Sequence, residues 1–254
     1  MRVFAVSDVH VDYAVNAQWV ESLSITDFQN DVLILAGDVS DSLGKLEKCF
    51  NTLARRFMKV LFVPGNHDLW VVRDGATLTS LQKLDAVNAI ALASGVSTQP
   101  YHHGSLSIIP MMSWYDFSFG PPSADLRERW MDFQACRWPE GFGTAEVATH
   151  FLDMNESLAR RGDETIISFS HFLPRVDVMP SFIREPGRML YPVLGANRLD
   201  EQIRRLGSAI HVYGHSHVNQ RTTIDGTLYV NNAFAYPKET RIAAKALVCV
   251  HETA

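Results

Sequence analysis

Short aliphatic runs, each ended by a polar turn, alternate along this chain with segments of helical periodicity. Six runs are typical of buried strands: residues 3–6, 32–36, 60–63, 106–110, 165–169 and 209–213. Between them, apolar residues recur at spacings of three and four, as in Leu43, Leu46, Phe50 and Leu53, and in Val147, Phe151, Met154 and Leu158. Because strand and helix alternate, the sequence predicts an α/β fold with a largely parallel sheet.

The C-terminal part of the chain predicts antiparallel strands instead. Asp225-Gly226 separates residues 220–224 from 227–230, and this pair between alternating runs indicates a hairpin. A further strand is expected at 246–250. Since the 254 residues contain no internal repeat or linker, we expect one domain spanning 1–254. The stretches 111–142 and 172–197 are rich in Pro, Gly and aromatic residues, and their length predicts functional loops.

Charge and cysteine usage narrow the class of protein. The formal net charge is -5, and no basic run could follow a nucleic-acid backbone, which argues against nucleic acid as a partner. Cys49, Cys136 and Cys249 are widely spaced and odd in number, which is typical of a reduced interior. The apolar stretch at the N terminus is too short for a signal peptide or a membrane span, so we expect a cytoplasmic protein that does not bind membranes.

Potential metal ligands come directly after the carboxyl ends of the predicted strands: Asp8 and His10, Asp38, Asn66 and His67, His171, and His215 and His217. Because carboxyl ends of strands line the ligand crevice of an open α/β sheet, we expect these residues to converge there. Glycines precede three of the clusters, at Gly37, Gly65 and Gly214, and let the backbone approach an ion closely. Any one histidine or aspartate of this kind is more often a packed residue or a turn former, so the prediction depends on the combination.

The order of these residues resembles the signature of a known family. Five blocks carry it: Asp8-Val9-His10, Gly37-Asp38, Gly65-Asn66-His67-Asp68, Ser170-His171 and Gly214-His215-Ser216-His217. Over residues 1 to about 230, the chain resembles the calcineurin-like metallophosphoesterase family. The resemblance implies a four-layer α/β/β/α sandwich, in which two mixed β-sheets pack face to face between flanking helices and the metals lie at one edge.

The resemblance also implies two metal ions that share a carboxylate. One ion would be held by Asp8, His10, Asp38 and His217, and the other by Asp38, Asn66, His171 and His215. Imidazole, carboxylate and amide ligands suit divalent or mixed-valence Mn, Fe, Zn or Co better than Mg or Ca. Two divalent ions with two aspartates leave a net charge of roughly +2, which would attract an anionic phosphate.

The implied reaction is hydrolysis of a phosphate ester, either a monoester or a diester, by a hydroxide that bridges the two ions. By resemblance, His67 would donate a proton to the leaving oxygen, and Asp41 would pair with this histidine. Asp41 is equally suited to cap a helix that begins near Leu43. Asp68 is expected to support the Gly65 loop rather than to take part in the chemistry. We expect a small phosphorylated substrate.

One position departs from the protein phosphatases of this family. In those enzymes an arginine that binds phosphate follows a second aspartate, which corresponds to Asp41 here. Ser42 stands there, which argues against a protein phosphatase and leaves phosphate binding to the metals and to another group. The candidates are Arg175, Arg184 and Arg188 in the second long loop, and the aromatic stretch from Ser113 to Phe117. A solvated surface for the arginines and core packing for the aromatic residues are the alternatives.

Two other functions are compatible with the same fold. A non-catalytic scaffold would typically lack metal ligands or the proton-donating histidine, and all of these residues are present. A nuclease of the family would be expected to carry a basic groove or an added DNA-binding segment, and neither is visible in the sequence. The sequence therefore favours a phosphoesterase.

Overall fold

Strands and helices alternate through most of the chain in the computed structural model, which describes residues 1–73, 78–185 and 187–253. The strands are β1 (Arg2–Val6), β2 (Val32–Ala36), β3 (Lys59–Val63), β4 (Val96–Ser97), β5 (Tyr101–His103), β6 (Leu106–Pro110), β7 (Thr165–Phe169), β8 (Ile210–Tyr213), β9 (Gln220–Ile224), β10 (Thr227–Asn231) and β11 (Val248–Glu252). The α-helices are α1 (Ala14–Ser22), α2 (Leu43–Ala54), α3 (Ser80–Ala93), α4 (Ala124–Arg129), α5 (Asp132–Ala135), α6 (Thr144–Asp153) and α7 (Asn197–Leu206). Shorter 3-10 helices cover His67–Leu69, Val176–Val178 and Gly187–Val193.

The strands form two mixed sheets. In the first, with the order β11-β1-β2-β3-β4, β11 runs antiparallel to β1 and the other neighbours are parallel. The second sheet has the order β5-β6-β7-β8-β10-β9. Its four central strands, β6, β7, β8 and β10, are parallel to one another, and the edge strands β5 and β9 run antiparallel to their neighbours β6 and β10. The periodicity alone predicted one largely parallel sheet, and this was incomplete because the parallel strands divide between two sheets.

Apolar clusters separate four layers of structure. Fully buried residues from both sheets meet in the middle, among them Ala5, Ile34, Leu61, Ile108, Ile167 and Val212. The opposite face of the first sheet packs on α1, α2 and α3, and the opposite face of the second sheet packs on α6 and α7. Every residue of β2 is buried because both faces of its sheet are covered. The four-layer α/β/β/α sandwich is thus confirmed.

Backbone hydrogen bonds join the loops that follow the strands. Asp8 N donates to Gly37 O at 2.9 Å, which ties the loop after β1 to the loop after β2. Gly214 N donates to His171 O at 2.9 Å, which ties the loop after β8 to the loop after β7. The two sheets meet where His215 N donates to the Asp8 carboxylate at 3.1 Å. The strand ends of both sheets therefore open onto one shared edge.

Several local predictions can be compared with the structure. The Asp225-Gly226 hairpin is confirmed: both residues have positive φ, 52° and 86°, as the tight turn between β9 and β10 requires. The α6 helix ends at Asp153, earlier than the apolar spacing predicted, so Met154 and Leu158 lie beyond it. Asn155 follows that end and hydrogen-bonds to Met112 N and O instead of continuing the helix. No helix in the described residues is long and apolar enough to cross a membrane.

Candidate metal centre

The seven residues predicted as ligands lie together at the shared edge. Asp8, His10, Asp38 and His217 place ligand atoms within 4.8 Å of one another, and so do Asp38, His171 and His215. Asn66 belongs with the second group, since its Oδ1 is 3.1 Å from His171 Nε2. Asp38 is common to both groups, in the position of the predicted shared carboxylate.

In the first group, donor atoms from two strand-end loops of the first sheet meet one from the second sheet. His217 Nε2 is 3.2 Å from Asp8 Oδ1 and also 3.2 Å from His10 Nε2. Asp38 Oδ2 lies 3.9 Å from His10 Nε2. The other oxygen of the same carboxylate, Asp38 Oδ1, is 3.4 Å from His171 Nε2 in the second group. The Asp38 carboxylate therefore faces one group with each of its oxygens.

The tautomers of two histidines show what the second group can hold. His171 Nδ1 lies 2.9 Å from Ala36 O, and His215 Nε2 lies 3.1 Å from Val193 O. A carbonyl oxygen only accepts, so these ring nitrogens carry the protons, and His171 Nε2 and His215 Nδ1 present lone pairs. Those two atoms are 3.2 Å apart. Two lone pairs at this distance repel each other unless a cation lies between them, so the donor set fits a metal ion.

The charges of the first group also call for a cation. Burial raises the pKa of the Asp38 carboxyl, and the neighbouring Asp8 carboxylate raises it further. Burial opposes the charged form of His217, but Asp8 on one side and Glu239 on the other raise its pKa to about 9. A metal ion held by this group would supply the positive charge that the buried carboxylates of Asp8 and Asp38 require.

Most of the candidate ligands have a strained backbone. Five of them lie in the left-handed region: Asp8 (φ 51°), His10 (φ 44°), Asp38 (φ 56°), His215 (φ 65°) and His217 (φ 56°). This conformation is uncommon for residues with a side chain and costs on the order of 1–3 kcal/mol each. Such strain is typical of functional sites, where the surrounding fold holds a side chain in a required direction.

Two glycines let the strand-end loops approach each other closely. A Cβ on Gly214 would lie 2.6 Å from Asp8 Oδ2. A Cβ on Gly65 would lie 2.7 Å from Asp38 N and closer still to Asp38 Oδ1. Any other residue at Gly65 or Gly214 would displace one of the two carboxylates, in agreement with the predicted use of glycine here.

Asp68 fixes the backbone below the shared carboxylate. Its fully buried side chain accepts four backbone N–H bonds of 2.8–3.0 Å, from Asp38, Val39, Ser40 and Gly65. One carboxylate thus joins the loop after β2 to the loop after β3. The prediction that Asp68 supports the Gly65 loop is confirmed.

The sequence model of the calcineurin-like phosphoesterases matches residues 1–219. The chain belongs to the calcineurin-like phosphoesterase family. The match spans both sheets up to the loop after β8, and so includes all seven candidate ligands. It agrees with the resemblance that the five motif blocks indicated. With its two metal-binding groups, this family member is a metal-dependent phosphoesterase.

Individual relatives cover nearly the whole chain. The [acyl-carrier-protein] phosphodiesterase PptH of Mycobacterium tuberculosis is 28% identical over 94% of this chain and 79% of its own length. The crystal structure of the phosphopantetheinyl hydrolase PptH from the same organism superposes with a TM-score of 0.82 at 26% identity, over 98% of this chain and 95% of that one. A dimetal phosphatase from Danio rerio, at 14% identity and a TM-score of 0.51 over 91% and 86% of the two chains, shares the fold.

His67 lies at the open side of the centre. Its backbone N–H donates to Asp38 Oδ1 at 2.9 Å, and its Nε2 is 3.9 Å from Asp38 Oδ2. The ring stacks on Trp70 with centroids 3.7 Å apart. Its side chain is 18% exposed, compared with 11% for His217 and 0% for His171. Among the histidines of this metallophosphoesterase site, His67 is thus well placed to meet a substrate arriving from solvent.

Asp41 contacts a different residue from the predicted one. Its Oδ2 is 2.7 Å from Arg73 Nε, whereas Oδ1 is buried with no hydrogen-bond partner among the described residues. No hydrogen bond or ion pair in that part of the chain joins Asp41 to His67. The helix α2 is preceded by Ser42 as its N-cap residue, so the alternative role of Asp41 as the cap is not seen either.

The first long loop supplies a group that orients a ligand. Asp132 Oδ1 accepts from Asn66 Nδ2 at 2.8 Å and from Trp70 Nε1 at 2.8 Å, and its Oδ2 accepts from Trp130 Nε1 at 2.8 Å. Because the Asn66 amide nitrogen is held by Asp132, the amide oxygen faces His171 and the second group. The second long loop contributes the Val193 carbonyl that holds His215.

The candidate phosphate-binding arginines are exposed or held in other contacts. Arg175 pairs with Asp177 at 2.6 Å and with Asp225 at 3.1 Å. Arg188 is exposed and donates to Ile183 O, and Arg184 is exposed as well. Trp114 is only 2% exposed and packs between aromatic rings in the core beneath the loops. Arg184 and Arg188 follow the alternative of a solvated surface and Trp114 that of core packing, whereas Arg175 is held in ion pairs.

Sequence reasoning missed three residues at this site. Glu239 accepts from His217 Nδ1 at 2.8 Å, Asp132 holds Asn66, and the Tyr236 ring lies 4.6 Å from the His10 ring. Glu239 and Tyr236 belong to an irregular segment, Asp132 begins the short helix α5, and none of the three lies in a motif. Glu239 follows its histidine by 22 residues, and Asp132 follows Asn66 by 66. No local spacing could have connected them.

Proposed function

We propose that this chain hydrolyses a phosphodiester with two transition-metal ions bound at the strand ends. Asp8, His10, Asp38 and His217 would hold one ion, and Asp38, Asn66, His171 and His215 the other. The observation that carries the proposal is the 3.2 Å approach of His171 Nε2 and His215 Nδ1, whose lone pairs face each other. When bound, the ions would supply a water that loses its proton near neutral pH and positive charge for the phosphoryl oxygens.

The donor atoms favour particular metals. They are imidazole nitrogens, carboxylate oxygens and one amide oxygen, and the three cysteines lie outside both groups. This mixture suits Mn, Fe, Zn or Co, in divalent or mixed-valence pairs, whereas Mg and Ca prefer oxygen ligands alone. We therefore propose a transition-metal pair drawn from these four elements.

The charge around the centre favours a diester over a monoester. Besides Asp8 and Asp38, three carboxylates bond to ligand residues, namely Asp68, Asp132 and Glu239. Five carboxylates then surround the four positive charges of two divalent ions, so the centre is less positive than its two carboxylate ligands alone indicate. A doubly charged monoester would gain less attraction from such a centre than expected. A phosphodiester carries one negative charge and suits it better.

The substrate that we propose is carried by a protein. Sequence alone favoured a small phosphorylated substrate. A relative that matches 94% of this chain is named as an [acyl-carrier-protein] phosphodiesterase, and its structure as that of a phosphopantetheinyl hydrolase. By this likeness, the bond cleaved would be the phosphodiester between a phosphopantetheinyl group and its carrier protein. The partly exposed His67 marks the side from which such a substrate would enter.

His67 would act as the general acid of this reaction. Its Nε2 faces the shared carboxylate at 3.9 Å, so a phosphoryl group between the ions would bring its ester oxygen towards this ring. Burial lowers the pKa of His67, and the nearby imidazoles of His10 and His171 lower it further. The ring would therefore take up its proton when the negative charge of the substrate lies beside it. If Arg73 moved away, the unpaired carboxylate of Asp41 would add its negative charge to that of the substrate in favouring protonation of His67.

The role of His67 can be tested with a series of phosphodiesters whose leaving groups rise in pKa. His67→Ala should keep both metal ions while kcat falls by roughly 10²- to 10⁴-fold for an alkoxide leaving group, the usual size of a general-acid contribution. The loss should be much smaller for nitrophenolate, which departs without protonation. If the ratio of wild-type kcat to variant kcat stays constant along the series, His67 is not the general acid.

The carrier-protein substrate requires a separate test. Metal-loaded wild-type protein is incubated with a phosphopantetheinylated acyl carrier protein. The mass of the intact carrier is then measured by mass spectrometry. We expect the carrier to lose its phosphopantetheinyl group, and to keep it with metal-free protein or with His67→Ala. If bis(p-nitrophenyl) phosphate is hydrolysed while the carrier stays intact, the substrate assignment is wrong and the phosphodiesterase remains.

A further inference from the structure

Tyr236 covers the open side of the metal centre. Its ring centroid lies 4.6 Å from that of His10, 4.8 Å from that of His217 and 6.5 Å from that of His67. Its hydroxyl oxygen is 3.5 Å from His67 Nε2. The phenol thus contacts one histidine from each of three strand-end loops, two of them candidate ligands and the third the candidate acid.

The backbone of Tyr236 is fixed on both sides. Its N–H donates to Glu239 Oε2 at 2.9 Å, and the same oxygen accepts from His217 Nδ1 at 2.8 Å. Its carbonyl oxygen accepts from Lys245 Nζ at 2.7 Å. One carboxylate therefore holds both a ligand histidine and the tyrosine, which couples the position of the ring to the geometry of the centre.

The hydroxyl of Tyr236 is poorly used within the protein. In the described residues its hydrogen bond is the 3.5 Å contact to His67, which is at the long limit for such a bond. A phenol is protonated at neutral pH and can donate one hydrogen bond. It is also only partly buried, so an incoming group can reach it. The donor is thus available to a substrate.

In the described part of the chain, none of the arginines predicted to bind phosphate forms a hydrogen bond or ion pair with a candidate metal ligand. Ser42 stands where protein phosphatases of the family have an arginine, and Arg175 and Arg188 are engaged in other contacts. The Tyr236 hydroxyl lies 3.5 Å from His67 Nε2 and has no shorter hydrogen bond among the described residues. Two donors 3.5 Å apart match two adjacent oxygens of one tetrahedral phosphate.

We propose that the Tyr236 hydroxyl donates a hydrogen bond to a non-bridging phosphoryl oxygen while His67 serves the adjacent ester oxygen. This assignment rests on the proposed phosphodiesterase activity and adds to it a phosphate-binding residue. The tyrosine performs the task for which related phosphatases use an arginine. A neutral donor in this place also suits a diester, which has less negative charge to neutralise.

The test compares Tyr236→Phe with wild type and with Tyr101→Phe, which removes a hydroxyl on β5 away from the centre. Inorganic phosphate is titrated calorimetrically into Mn-loaded protein, and kcat and KM are measured with bis(p-nitrophenyl) phosphate. Loss of one hydrogen bond to a charged group should weaken phosphate binding by about 10-fold and lower kcat/KM by roughly 10- to 100-fold. Tyr101→Phe should match wild type in both measurements.

The outcomes separate this assignment from the proposed function. If wild type hydrolyses no phosphodiester, the proposed function fails first. If wild type is active and Tyr236→Phe binds phosphate and turns over normally, the assignment to Tyr236 is overturned. Loss of a metal ion from Tyr236→Phe, measured by elemental analysis, would also overturn it, since the hydroxyl would then support the ligands. A loss that grows with leaving-group pKa, as expected for His67→Ala, would place the hydroxyl on the ester oxygen and contradict the assignment.

Discussion

Replacing Asp132 by alanine should weaken the binding of one of the two metal ions and leave the binding of the other unchanged. Asp132 accepts from Asn66, Trp70 and Trp130 and is 2% exposed. The side chain that it orients, Asn66, faces only the second group, next to His171. Glu239→Ala is the complementary change, because Glu239 orients His217 in the first group.

The size of the effect follows from the hydrogen bonds. Two donors reach Asp132 Oδ1 and one reaches Oδ2, so an alanine leaves these N–H groups without their acceptor. An unsatisfied buried donor costs about 1–3 kcal/mol of folding stability. Groups that orient metal ligands typically contribute about 10- to 100-fold in metal affinity, equivalent to about 1.4–2.7 kcal/mol. We expect this loss at the second ion for Asp132→Ala and at the first ion for Glu239→Ala.

The assay is isothermal titration calorimetry of Mn²⁺ into metal-free protein. The binding heats are fitted with a model of two sites. Each variant should weaken one binding step and leave the other within about two-fold of wild type. Asp200→Asn is the control, since Asp200 is a buried carboxylate that bonds to Tyr229 away from the centre. If both variants weaken the same step, or both steps equally, the division into two ligand groups is wrong.

Two other predictions concern the loops and the stability of the fold. Gly65→Ala should displace the Asp38 carboxylate and lower metal affinity by more than about 10-fold. Gly44→Ala is the control and should keep the wild-type affinity, because nothing lies within 4 Å of the added Cβ. Both variants are titrated with metal by calorimetry, and equal affinities would refute the close approach at Gly65. Burial opposes ionisation of Asp31, but hydrogen bonds from Arg2 lower its pKa, so the pair stabilises the fold at neutral pH and this contribution is lost as the pH falls below about 4. The free energy of unfolding of metal-free protein, measured with denaturant between neutral pH and pH 3, should fall less for Asp31→Asn than for wild type. An equal fall in both proteins would contradict the prediction.

The convergence of the candidate ligands could be predicted because each of them follows a strand, whereas their division into two groups came from the family resemblance. Strand ends of a parallel sheet lie at one edge, which brings Asp8 and Asp38 together, and His217 joins them from the second sheet because both sheets open onto the same edge. The left-handed backbone at Asp8 and His217 was not predicted. At Asp8, this conformation accompanies a hydrogen bond to the neighbouring loop, from Asp8 N to Gly37 O.

The groups around the ligands could not be predicted in the same way. Asp132 begins the short helix α5, whose position depends on packing of its neighbours Trp130 and Cys136 against the core, and Glu239 lies in an irregular segment. The pairing of Asp41 with Arg73 likewise depends on where the loop after the 3-10 helix returns. One missed element did carry a local signal: Thr79 and Gln82 form a capping box at the start of α3, a pattern that is visible in the sequence.

The most direct test of the central claim is the dependence of phosphodiester hydrolysis on the number of bound metal ions. Metal-free protein is titrated with Mn²⁺, Fe²⁺, Zn²⁺ or Co²⁺, and hydrolysis of bis(p-nitrophenyl) phosphate is measured together with metal content by elemental analysis. Because Asp38 joins two ligand groups, we predict that activity reaches its plateau at two ions per chain with at least one of these metals. A plateau at one ion per chain, or no hydrolysis with any of the four metals, would contradict the account.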